Sequence, residues 1–85
     1  MTSDEIRATL FDILADIAPE ADPAAIKTDV DLRDQLDIDS MDFLNFVIGI
    51  HERLGVEIAE SDYGQLLTID DLAGYVAQRL TAVQA

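Results

Sequence analysis

The chain contains no cysteine and no tryptophan, one histidine, two prolines and only five basic residues among 85. Without cysteine, neither a disulfide nor a thiolate metal site can hold the fold, which fits a cytoplasmic setting. The few Lys and Arg stand against 18 acids, for a formal net charge of −13. Nucleic-acid binding needs clustered cations against phosphate, so this composition argues against it. Anionic membrane surfaces should repel the chain as well. Its apolar runs are far too short to span a bilayer. The opening "MTSDEIRATL" lacks the basic start of a signal peptide and the Arg-rich character of a transit peptide. The partners such a charge favours are cations or basic protein patches, toward which it can steer encounters.

What is present suffices for one small domain, expected to span residues 1–85, with 49% apolar residues to build a core. Thr2 and Glu5 make a T-x-x-E capping box. Ile6, Leu10, Ile13, Leu14 and Ile17 then recur at helical spacing, predicting a helix over 3–17 that Pro19 and Pro23 stop. Residues 19–38 form a long connection with Val30, Leu32 and Leu36 expected on the core and a helical turn near Leu32. A second helix is predicted over 40–54, capped by Asp39 or Ser40 and ended by Gly55. A short helix follows near 60–66, and a last one over 69–82, opened by a Thr68/Asp71 box. No hairpin signal appears. The expected fold is all-α: a small bundle of three main helices plus a short third helix.

On the second helix, Phe43, Phe46, Val47, Ile50 and Leu54 share one face. With Met41, Leu44 and Ile48 the apolar arc covers roughly 200°, wider than a surface helix needs. Leu44 is expected to pack on a second side of the helix. Met41, in the first turn, is the better candidate for an exposed contact, for which methionine is well suited.

Ser40 sits between Asp39 and Met41 at the start of this helix. As a nucleophile it would need a base in reach. The sole histidine, His51, is eleven residues further along the same helix, about 16 Å away. Self-activated chemistry is therefore excluded, and the chain has no Gly-rich oxyanion loop. A helix N-terminus does favour an attached phosphate, so Ser40 is either an ordinary cap or a site modified by another enzyme.

"DIDSMDFLNFVIGIHERLGVEI", followed by "LLTIDDLAGYV", resembles the acyl carrier protein family over nearly the whole chain. The resemblance implies a discrete carrier, not an enzyme. Ser40 would receive 4′-phosphopantetheine from coenzyme A through a phosphopantetheinyl transferase. The thiol of that arm, the only one in the protein, would hold acyl groups as thioesters. Asp39 would orient the attachment site. Met41, Asp42, Ile48 and Glu52 would meet partner enzymes, namely acyl-transferring and synthase enzymes with basic patches. Phe46, Val47, Ile58 and Leu66 would line a space for the acyl chain. A monomer is expected.

The sequence departs from the family pattern in places. Asp37 stands where a glycine is common, and Asn45, His51 and Arg53 replace residues that are usually acidic. Phe43 and Phe46 are bulky where smaller residues are frequent. These departures leave open whether the carrier serves fatty acid, specialised lipid or polyketide synthesis.

Two other classes remain at this level. Asp29, Asp31 and Asp34, or Asp37, Asp39 and Asp42, could gather a divalent cation, although "DIDSMD" lacks the glycine and closing glutamate of an EF-hand loop. Loose surface binding fits this pattern better than a dedicated metal site. Alternatively, the chain is a helix-docking interaction module in which Ser40 only caps.

Overall fold

The computed structural model describes residues 2–84, with side chains through Leu80. Four α-helices run in chain order as α1 (Ser3–Ile17), α2 (Leu32–Gln35), α3 (Ser40–Leu54) and α4 (Ile69–Gln84). 3₁₀ segments occupy Pro23–Ala25 and Glu60–Gln65. No strand occurs among the described residues. The predicted third helix is thus the 3₁₀ segment Glu60–Gln65, where Gly64 interrupts α-helical propensity.

The helix ends follow from local chemistry. Thr2 Oγ1 accepts from the Glu5 amide at 3.1 Å, and the Thr2 amide donates to Glu5 Oε1 at 3.0 Å. This exchange satisfies two of the donors that a helix start leaves free. Gly55 ends α3 at φ 68°, a left-handed conformation that costs glycine nothing. At α4 only half of the expected box forms, the Asp71 amide donating to Thr68 Oγ1 at 3.0 Å.

One apolar cluster holds the bundle together. It joins Ile6, Leu10, Ile13 and Leu14 of α1 to Phe46 and Ile50 of α3 and to Ile69, Leu72 and Val76 of α4. Burying each such side chain contributes about 1.5–3 kcal/mol. α1 packs against both α3 and α4. Its contact with α3 is close at Gly49, where a Cβ would lie 2.6 Å from Ile13 Cγ2.

The long connection is packed rather than loose. Leu32 is fully buried, and Leu36 and Ile38 lean on the cluster, whereas Val30 is only half-buried. Gln35 braces the loop from inside: its Nε2 donates to the Lys27 and Val30 carbonyls, and its Oε1 accepts from the Lys27 amide. The Leu32 amide donates to the Leu67 carbonyl, and the Asp70 amide to the Thr28 carbonyl. These two bonds seat the connection against the start of α4.

The outer face of α3 departs from expectation at one residue. Met41 is 64% exposed, Ile48 45% and Leu44 39%. Leu44 therefore does not pack on a second side of the helix.

Candidate functional site

Asp39, not Ser40, is the N-cap of α3. Its Oδ1 accepts from the Asp42 amide at 2.9 Å, while its own amide donates to Asp42 Oδ2 at 3.3 Å. Sequence reasoning missed this reciprocal box because aspartate stands where glutamate or glutamine is usual. The signal was the same three-residue spacing that marks Thr2 and Glu5.

Ser40 is thereby released from capping. It is the first helical residue, it is exposed, and its hydroxyl makes no hydrogen bond among the described residues. Asp39 accepts the Asp42 and Phe43 amides, which leaves the Ser40 and Met41 amides free at the positive end of the helix dipole. A phosphate on Ser40 Oγ would lie beside those donors, so the residues present fit a phosphodiester-linked group.

Ser40 also borders an open hollow of about 200 Å³, shared with Arg33, Phe43, Tyr63, Gly64 and Leu67. Phe43 and Tyr63 meet edge to face there, with centroids 5.6 Å apart. The Arg33 guanidinium pairs with Asp31 at 3.3 Å. Its side-chain and backbone hydrogen bonds hold the Asp31 carboxyl below the usual carboxylate range. Tyr63 and the hollow were not legible as site features, because they depend on the chain returning to α3 from residues 33 and 63.

The other expected site residues fall into two groups. Met41, Ile48 and Glu52 are exposed on α3, while Asp42 is half-buried and engaged with Asp39. Phe46, Val47, Ile58 and Leu66 belong to one buried cluster, and none of them lines the hollow beside Ser40. Asp37 is exposed at the approach to α3. Among the described residues, no three or more His, Cys, Asp or Glu side chains gather to hold a metal ion. No helix among them is long and apolar enough to cross a membrane.

Comparison with known proteins agrees with this geometry. Residues 8–76 match the PP-binding family, described as a phosphopantetheine attachment site. An acyl carrier protein of Renibacterium salmoninarum is 33% identical over 76 residues, covering 89% of this chain and 93% of that protein. One from Chlamydia trachomatis is 30% identical, covering 89% and 92%. One from Rhodococcus erythropolis is 30% identical over 81 residues, covering 95% and 87%. The chain belongs to the acyl carrier protein family. It is a carrier whose prosthetic group is 4′-phosphopantetheine.

Proposed function

We propose that Ser40 is the attachment point of the phosphopantetheine arm and that a phosphopantetheinyl transferase loads it. The observation that carries this reading is the division of labour at the start of α3. Asp39 and Asp42 cap the helix and leave the Ser40 hydroxyl exposed and uncommitted. Ser40 Oγ forms a bond to the phosphorus that bears pantetheine in coenzyme A. The pyrophosphate P–O bond breaks, and adenosine 3′,5′-bisphosphate leaves. The hydroxyl proton passes to a base of the transferase, since His51 lies about 16 Å along the helix. The attached group supplies a terminal thiol that carries acyl groups as thioesters.

The partners are this transferase and acyl-transferring or synthase enzymes with basic patches. Met41, Asp42, Ile48 and Glu52 face them, and the net charge of −13 steers the encounter. Phe46, Val47, Ile58 and Leu66 part to admit an acyl chain. The carrier acts as a cytoplasmic monomer in fatty acid, specialised lipid or polyketide synthesis.

Intact-mass analysis after incubation with coenzyme A, Mg²⁺ and a phosphopantetheinyl transferase tests the attachment. One phosphopantetheine increment on Ser40, absent in Ser40→Ala, is expected. A wild-type chain left unmodified by several such transferases sinks the reading.

A further inference from the structure

Among the described residues, Arg33 is the only basic one on the hollow that Ser40 borders. The other cations with side-chain contacts are engaged elsewhere: Arg7 with Asp4 and Asp70, Arg53 with Asp16, Arg79 with Tyr75. Arg33 itself is held only by Asp31, at 3.3 Å from Nη2 and 3.5 Å from Nε. The pair is long, and the arginine side chain is 53% exposed. Such a pair is weak in water and exchanges partners readily. Its backbone is by contrast fixed. The Arg33 amide donates to Asp31 Oδ1 at 2.8 Å, and neighbouring Leu32 is buried and bonded to the Leu67 carbonyl. A firmly anchored arginine thus carries a loosely committed guanidinium at the edge of the hollow.

A phosphodiester on Ser40 adds a negative charge next to Asp37, Asp39 and Asp42 in a chain already at −13. The free Ser40 and Met41 amides cover part of that charge, and the hollow offers one full cation. The guanidinium already forks onto both Asp31 oxygens through Nε and Nη2, at 3.5 and 3.3 Å, and the same fork can donate to two phosphate oxygens.

We propose that Arg33 is the counter-cation of the Ser40-linked phosphodiester, leaving Asp31 for the phosphate when the arm is attached and so orienting the root of the arm over the hollow. This rests on the attachment at Ser40 proposed above. Arg33 is a positioning residue: it takes no part in acyl transfer.

The test uses the holo protein prepared with coenzyme A and a transferase, its loading verified by intact mass. In the wild type, the Arg33 Nε–Hε resonance should move between the apo and holo forms. The holo ³¹P resonance should shift in Arg33→Gln and stay near the wild-type position in Arg33→Lys. Asp31→Asn, which frees the guanidinium, should leave the holo ³¹P position close to wild type. Amide spectra establish that each variant is folded, and the wild-type Nε–Hε comparison needs no variant. If loading occurs but the Arg33 and ³¹P resonances are unmoved by attachment and by Arg33→Gln, the Arg33 assignment alone falls. If no transferase adds the arm to Ser40, the attachment reading falls and takes this one with it.

Discussion

Asp39 and Asp42 exchange hydrogen bonds across the first turn of α3, at 2.9 and 3.3 Å, with Ser40 enclosed between them and bonded to neither. The cap and the proposed attachment residue are therefore different residues, and they can be separated by mutation. Asp39→Ala removes a side-chain cap and should cost about 1 kcal/mol in urea unfolding. Ser40→Ala removes no cap and places a better helix former at the first position, so stability should change by less than about 0.5 kcal/mol. Asp39→Asn keeps a competent cap but loses the charge. It should unfold like the wild type and yet load more slowly with the transferase. Equal losses of stability in Asp39→Ala and Ser40→Ala would show that the two residues share the capping role.

Gly49 allows α1 and α3 to approach. A methyl group there would sit 2.6 Å from Ile13 Cγ2, a branch atom close to its own backbone that cannot swing aside. Gly49→Ala should gain about 1 kcal/mol in helix propensity but lose about 1–3 kcal/mol to overpacking. A net loss in urea unfolding is expected, and Gly49→Ala should cost less in an Ile13→Ala background than in the wild type, although that background is itself less stable. A stabilised single mutant would mean that the two helices can separate without cost.

The parts of this fold that could be read from the sequence are those set by local periodicity. The apolar spacing of Ile6 to Ile17, the Thr2–Glu5 box and the glycine at 55 each act within a few residues, and α1 and α3 match their predicted limits. Leu44 shows where that reasoning stops. A wide apolar arc fits either a second packing partner or an open face, and only the path of the 18–39 connection decides between them. The same holds for the hollow beside Ser40. It is built from residues at 33, 43, 63 and 67, which no local pattern links. Phe46, Val47, Ile58 and Leu66 all belong to the one buried cluster, which also holds residues of α1 and α4.

Acid should release two local brackets. Hydrogen bonds from Thr2 lower the Glu5 pKa, and hydrogen bonds from Arg33 lower that of Asp31. Both carboxyls titrate lower in the folded chain than in the unfolded one. Their contribution is therefore present above the ordinary carboxylate range and lost as pH falls through the lowered folded values, below about pH 4. Relief of self-repulsion acts in the opposite direction over the same range, so a melting temperature mixes the two effects. Amide titration separates them. The Thr2 and Arg33 amides, which donate to the Glu5 and Asp31 carboxylates, should hold their chemical shifts to below the ordinary carboxylate range. Shifts that move at the ordinary carboxylate pH would contradict this.

A net charge of −13 on 85 residues makes the folded chain repel itself, most strongly at low salt. Mg²⁺ held diffusely by this surface binds the compact form better than the expanded one and should raise the melting temperature. The rise should be graded with concentration and should also appear, more weakly per mole, with NaCl, since no three acids gather into a metal site among the described residues. A sharp, saturable rise at micromolar Ca²⁺ would indicate a built site. A melting point indifferent to both salts would remove the repulsion argument.

Met41, Leu44 and Ile48 stand at i, i+3 and i+7 along one exposed flank of α3, starting beside Ser40. Exposed side chains contribute little to folding, so Leu44→Lys and Ile48→Lys should each unfold within about 0.5 kcal/mol of the wild type. On the proposed function a partner closing over Ser40 covers this flank, and a lysine there would bring a charge into an apolar contact facing a basic patch. Both substitutions should raise the transferase KM more than they lower kcat, whereas Ala15→Lys, exposed on α1, should leave both constants unchanged. Equal effects from Leu44→Lys and Ala15→Lys would reduce the cause to net charge and leave the flank without a docking role.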